Sequence, residues 1–463
     1  MNSGETITNR TFDELEIGES ASMSKTITRD DAALMALLSG SPILSAAEPS
    51  IAPLTPSIWA GTLAAAVLSA KLPGPGTIYL GESLRFHREI ELGDVLTTKV
   101  IVREKHSAGG TVVFDCESSD ANGERVLSGT VEVIAPRVKF TGRAGAAPEI
   151  RVRRHDKYDM LIARCRGLAP VATAVAHPCD ESSLRAALDA AKAGIVEPIL
   201  IGPSGKIAAV AAKEKLDLAD YEIVDAPHSH AAAEKAVELV RLGKAELLMK
   251  GSLHTDELLA AVVKRETGLR TARRISHCFI LDVPTYPKPL VITDAAVNIY
   301  PTLEDKVDIV QNAIDLVRAL GLDRPLVAIL SAVETVNEKI RSTLDAAALC
   351  KMADRGQIVG AAIDGPLALD NAISKAAAQI KGIRSPVAGQ ADILVVPDLE
   401  AGNMVYKNLN FLADAEGAGV VLGARVPIIL TSRADSVRSR LASCAVAALY
   451  ARARHATIAS AAE

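Results

Sequence analysis

At 463 residues the chain is too long for one ordinary domain, and about 150 residues per domain points to two to four. Hydrophobic residues make up 49% and charged residues 23%, which allows a sizeable buried core. The formal net charge is −5 and no basic tract of nucleic-acid type occurs, so nucleic acid is excluded as an expected partner. The densest cationic cluster, Arg151 to Lys157, is broken by His155 and Asp156 and reads as a solvated linker. The cysteines at 116, 165, 179, 278, 350 and 444 form no CxxC pair and no cluster of zinc spacing. Reduced thiols, no metal and a cytoplasmic location are expected. The N-terminus, MNSGETITNRTFDELEIG, lacks the apolar core of a signal peptide. The apolar stretch Ile58 to Ala70 is too short to cross a bilayer, so no membrane partner is expected.

In chain order, a helix is expected over Asp30–Leu38, capped by Thr28 with Asp31 completing a capping box. An apolar helix, Trp59–Leu72, stops at Pro73-Gly74-Pro75-Gly76. Strand-like runs follow at Thr77–Phe86, Val95–Glu104, Thr111–Ser118 and Glu124–Val133, with hairpin signals at Ala108-Gly109-Gly110 and Asn122-Gly123. One apolar helix followed by antiparallel strands predicts an α+β unit whose sheet curls around a helix buried on nearly all faces. Residues 136–154 show no sustained period. The boundaries are set at 1–140 for the first domain, 141–154 for a linker and 155–463 for the second.

From residue 171 short apolar runs alternate with amphipathic helices. Strands are expected at Val171–Ala176, Pro198–Ile201, Glu246–Met249, Cys278–Leu281, Leu290–Thr293, Leu326–Leu330, Ile393–Val396 and Val426–Leu430. Helices include Ser182–Ala193, Ala231–Leu242, Leu303–Leu320 and Thr343–Ala353. This rhythm predicts an α/β fold with a mostly parallel sheet, its ligands beyond the carboxyl ends of the strands. Two lobes around a cleft fit its length.

Four strand ends carry polar groups. Lys250, Gly251, Ser252 and Thr255 stand between a strand and a helix, where glycine admits backbone amides and a helix start favours anions. A simple N-cap at Ser252 or Thr255 is the rival reading. Asn337, Glu338 and Lys339 follow Leu326–Leu330, in a segment leading to Asp345. Asp364 follows the apolar run Ile358–Ile363, and Arg433 follows Val426–Leu430. Together they predict an anion-binding crevice. The run Ile201-Gly202-Pro203-Ser204-Gly205-Lys206 is read as a turn, since its glycine spacing is too short for a P-loop.

The runs LMKGSLHTDELL, TDAAVNIYP, LSAVETVNEKI, IDGPLALDNAISKAAA, VAGQADILVVPDLEAGNMVYK and PIILTSRADS resemble phosphate acetyltransferases and, more closely, phosphate butyryltransferases, over residues 155–455. The resemblance implies a two-lobed α/β fold, commonly dimeric, and the reaction of acyl-CoA with phosphate to give acyl phosphate and CoA. It implies coenzyme A as substrate and no cofactor. It suggests Asp345 as the base for the thiol, with Glu338 as competitor, and Asn337 as a donor to thiol or oxyanion. Phosphate contacts fall to Lys250, Arg433 or Arg270, because Leu258-Leu259-Ala260 stands where the acetyltransferase branch has arginine.

Residues 10–135 resemble MaoC-type enoyl-CoA hydratases of the hot-dog fold, through Phe12, Gly18, Leu38-Ser39-Gly40, LPGPGTIYL, Leu84-Arg85-Phe86 and Leu92-Gly93-Asp94. That family places an aspartate and a histidine after Ser-Gly. Here Ser41 and Ala46 fall at those places, and Pro56 stands for a second histidine. A serine without a partner is no base near neutral pH. Glu48 is the nearest carboxylate and reads as a loop charge. The resemblance therefore implies a hot-dog module without hydratase chemistry. The rival functions are a bifunctional hydratase and acyltransferase, or a CoA-ester scaffold. A homo-oligomer is expected from both families.

Overall fold

The computed structural model describes residues 6–40, 58–143, 155–431 and 435–462. Contacts divide the chain into two units, Met1–Val152 and Arg153–Glu463.

The N-terminal unit is a hot-dog fold. Five antiparallel strands run in the order Ser20–Thr26, Val95–His106, Thr111–Ser119, Arg125–Ile134, Ile78–Phe86. The sheet wraps the helix Ile58–Ala70. Period-two alternation sends Leu96, Val100, Val112, Phe114, Cys116, Val131 and Val133 inward, where all are buried. They meet Ala60, Leu63, Ala64, Val67 and Leu68 of the helix. Each fully buried leucine or valine contributes about 1.5–3 kcal/mol. The helix is less enclosed than expected. Thr62, Ala65 and Ala66 are half-buried and Ser69 is exposed. With Tyr79 and Glu82 they line a groove of about 580 Å³.

The first helix runs Arg29–Ser39, capped as expected: the Asp31 amide donates to Thr28 Oγ1 at 3.1 Å, and Asp31 Oδ2 accepts the Thr28 amide at 3.0 Å. The strand Ser20–Thr26 was not anticipated; its polar sequence, SASMSKT, carries no apolar run to announce it. The expected linker begins with a strand instead. Thr141–Arg143 pairs antiparallel with Thr6–Thr8, register Ile7↔Gly142.

In the C-terminal unit one eleven-stranded sheet runs Glu222–Asp225, Val196–Gly202, Val171–Ala176, Leu247–Lys250, Ile428–Ile429, Glu416–Leu422, Ser276–Asp282, Leu290–Thr293, Ile393–Val395, Leu326–Leu330, Ala362–Leu367. Helices cover both faces. In Leu247–Lys250, Leu247 and Met249 enter one core while Leu248 enters the other. Helices Glu181–Lys192, Leu303–Ala319, Arg341–Asp354 and Val437–Ala462 share the first of these cores. The sheet is more mixed than expected, because Glu416–Leu422 pairs antiparallel with both neighbours and Ser276–Asp282 does the same.

Lys157 is not a solvated linker residue. It opens the helix Lys157–Ala163 and its side chain is 9% exposed. Its ammonium donates to Asp282 Oδ1 at 2.8 Å and to the Val283 carbonyl at 3.0 Å, and its amide donates to Asp282 Oδ2 at 3.1 Å. Breaking a buried pair strands the other charge, so Lys157→Met is expected to cost about 3–5 kcal/mol. Urea unfolding of the full chain, followed by a signal from the C-terminal unit, measures it; a loss below ~1 kcal/mol would contradict a buried-pair role.

Candidate active site

The first cluster lies where Val171–Ala176 and Leu247–Lys250 end side by side, register Lys250↔Ala176. A Cβ on Gly251 would come 2.3 Å from the Ala176 carbonyl and 2.5 Å from that of His177, so only glycine fits. The Gly251 amide donates to Ala176 O at 2.8 Å, and the Ser252 amide to His177 O at 2.9 Å. Ser252 Oγ stands 2.9 Å from His177 Nδ1 and 2.8 Å from His177 O, and accepts the Cys179 amide at 3.3 Å. One arrangement uses these contacts without conflict: Nδ1–H donates to Oγ, and Oγ–H donates to the carbonyl. Burial, then Lys206, holds the His177 imidazole below its usual pKa.

Lys250 Nζ reaches the carbonyls of Gly251 at 3.2 Å and Leu253 at 3.1 Å. Thr255 is the first residue of the helix Thr255–Val262, and its N-cap is His254, not Ser252 or Thr255 as the rival reading had it. Register Met249↔Ile429 sets Lys250 beside Leu430, so the loop after Ile428–Ile429 adjoins this cluster. Arg433 lies outside the described residues.

The second cluster follows Leu326–Leu330. Asn337 folds the loop back: its Oδ1 accepts the Lys339 amide at 3.0 Å, and its amide donates to Thr343 Oγ1 at 3.0 Å. Asn337, Glu338 and Lys339 are exposed on that turn. Asp345, on the helix Arg341–Asp354, is 8% exposed and accepts from Lys306 Nζ at 2.7 Å. A helix-surface charge is therefore ruled out for it. Asp364 does not follow a strand. It lies inside Ala362–Leu367, where its Oδ1 accepts the next amide, Gly365, at 2.9 Å. Burial pushes the neighbouring Cys350 thiol up to about 12.

Leu247–Lys250 and Leu326–Leu330 run in opposite senses and stand six steps apart in the sheet order. Their carboxyl ends therefore face opposite edges of the sheet order.

Between them stand residues that sequence reasoning passed over. His277 is wholly buried and its imidazole is pushed down to about 3 by burial. Its ring meets Phe279 edge-on at 4.3 Å, and Phe279 stacks on Tyr406 at 3.7 Å. A Cβ on Gly417 would be 2.7 Å from Tyr406, and one on Gly419 would be 2.9 Å from His277 Nε2. Glycine at both positions, on one face of the strand, makes room for this stack. That Gly-x-Gly alternation was the available signal. Asp294 is buried and accepts the amides of Ala296, Val297 and Asn298 and the Asn298 side chain; burial raises its pKa. Asn403 Nδ2 reaches the Ala295 carbonyl at 3.5 Å.

A model of the family described as phosphate acetyl/butaryl transferase matches residues 229–448. The phosphate acetyltransferase of Rhizobium meliloti is 68% identical over 300 residues, covering 65% of this chain and 95% of that protein. The chain belongs to the phosphate acetyl/butyryl transferase family. The phosphate butyryltransferase of Clostridium acetobutylicum is 46% identical over 62% of this chain and 95% of its own length. Identity is thus higher with that acetyltransferase than with that butyryltransferase, the reverse of the sequence resemblance. The crystal structure of a branched-chain phosphotransacylase from Enterococcus faecalis V583 is 32% identical, with a TM-score of 0.54 over 61% of this chain and 99% of its own. The family match takes in Lys250 through Arg433, including the second cluster and the intervening stack, but not His177 and Cys179 of the first cluster. Among the described residues of this family member, no group of His, Cys, Asp or Glu could hold a metal ion. Nor is any helix among them long and apolar enough to cross a membrane.

Proposed function

We propose that the chain transfers a short acyl group between coenzyme A and phosphate, with acetyl as the favoured acyl group. The observation that carries it is the 68% identity with a phosphate acetyltransferase over 95% of that enzyme's length. A phosphate oxygen attacks the thioester carbonyl, the tetrahedral intermediate collapses, and CoA leaves as thiolate. In reverse, the CoA thiol loses its proton and attacks the acyl phosphate. A free thiol titrates near 8.5, so a carboxylate at hand speeds that step.

Asp345 takes the proton in this reading, held in place by Lys306, and Asn337 offers its side-chain amide to the sulfur or the oxyanion. Lys250, at the end of Leu247–Lys250, supplies charge for phosphate, with the Gly251–Thr255 backbone and hydroxyls beside it, and Arg433, a few residues after Ile428–Ile429 in sequence, is the second cation of this reading. Lys339 and Asp364 border the second cluster.

The test incubates the protein with acetyl-CoA or butyryl-CoA and phosphate and follows free thiol. Release is expected with both and faster with acetyl-CoA; no phosphate-dependent release would refute the function. In the same assay Lys250→Ala is expected to raise KM for phosphate by about tenfold or more, the scale of one charge-assisted contact, and KM for acyl-CoA far less. An equal rise in both would take Lys250 out of the phosphate site.

A further inference from the structure

The C-terminal unit holds a cavity of about 660 Å³ that none of the residues assigned to acyl transfer lines. Its walls are the C-terminal halves of the helices Leu303–Ala319 and Val437–Ala462, the segment Thr271–Arg273 and the turn at Gly423. The volume is that of an ordinary small-molecule site. Three guanidinium groups line it, from Arg273, Arg318 and Arg454, against two carboxylates, Asp315 and Asp323.

The charges are not evenly matched. Arg273 Nη1 donates to Asp315 at 2.6 Å, which uses that pair. Among the described residues neither Arg318 nor Arg454 meets a carboxylate. Arg454 is anchored instead by the carbonyls of Ala424 at 3.3 Å and Arg425 at 3.1 Å, with its guanidinium 5.9 Å from the Tyr450 ring centre. The floor is rigid. Thr271 Oγ1 donates to Gly423 O at 2.6 Å, and Gly423, at φ +86°, has the Arg274 carbonyl 2.2 Å from where a Cβ would sit. Arg318 lies along Gly360, where a Cβ would come 2.9 Å from its Nη1. Arg454, held by two carbonyls, and the exposed Arg318 thus line a cavity that carries one more guanidinium than carboxylate. Their fork geometry suits the paired oxygens of phosphate or carboxylate.

We propose that this cavity is a second binding site, for a small polyanion bearing phosphate or carboxylate groups. The site does not depend on the acyl-transfer assignment.

The full-length protein, saturated with CoA to fill the catalytic crevice, is titrated calorimetrically with inorganic pyrophosphate and separately with citrate. Saturable binding of at least one anion is expected, and the anion that binds tells phosphate from carboxylate. Arg318→Glu should weaken that binding about tenfold or more, the scale of one lost charge-assisted contact. Arg318 is exposed and touches no assigned catalytic group, so thiol release without the anion should be unchanged in this variant. Three results would each overturn the proposal: no saturable binding of either anion, equal binding by Arg318→Glu, or binding seen only when CoA is left out.

Discussion

Asp345→Asn is expected to lower kcat by about 10²-fold or more and to leave KM for acyl-CoA nearly unchanged, because a general base contributes about 10²–10⁴. The structure adds a complication that the sequence did not show. Asp345 pairs with Lys306 at 2.7 Å, and the two side chains are 11% and 6% exposed. The asparagine variant therefore leaves a buried ammonium without its counter-charge, at about 3–5 kcal/mol. Lost activity could then reflect lost fold. The double variant Asp345→Asn with Lys306→Met removes both charges and should recover much of that stability. If Asp345 takes the thiol proton, the double variant melts near the parent and stays inactive. Recovered turnover alongside recovered stability would assign the pair a structural role. Glu338 would then be the base, and Glu338→Gln, otherwise expected to be nearly silent on an exposed turn, would abolish turnover.

No hydration of crotonyl-CoA above background is expected from the full-length protein, measured by loss of the enoyl absorbance. A hydratase needs a base and an acid around one water, and residues that act as a unit fail together. Ser41 and Ala46 replace the aspartate and histidine that the resemblance calls for; both, with Glu48 and Pro56, lie outside the described residues. The fold itself does not forbid a ligand. The groove beside Ile58–Ala70 is open, and its carboxylate, Glu82, accepts a 2.5 Å hydrogen bond from Tyr79 OH. Burial and then Glu82 raise the Tyr79 pKa, which keeps that hydroxyl protonated near neutral pH. Hydration that disappears in Glu48→Gln or Glu82→Gln would show that a carboxylate has been recruited from a new position. The protein would then be bifunctional. Phosphate-dependent thiol release from residues 150–463 alone is the companion result expected if the hot-dog unit takes no part in acyl transfer.

Local chemistry was legible in the sequence. The Thr28–Asp31 capping box, the four long strands of the first unit and the strands Val171–Ala176, Leu290–Thr293 and Leu326–Leu330 each follow from patterns a few residues long. The family motifs were equally plain, because they are contiguous runs. What the sequence hid is non-local. Glu416–Leu422, with three of its first four residues Gly or Ala, is a central strand only because its neighbours bury it. Asp364 looked like a loop residue after an apolar run, but pairing with Leu326–Leu330 puts the strand four residues later. Lys157 reads as one more cation in a polar stretch until Asp282, 125 residues away, is folded against it. Asp345 likewise finds Lys306 across 39 residues. Propensity and periodicity act within one or two turns of chain. The partner of a buried charge, and the neighbours that make a strand central, are decided only when distant segments pack.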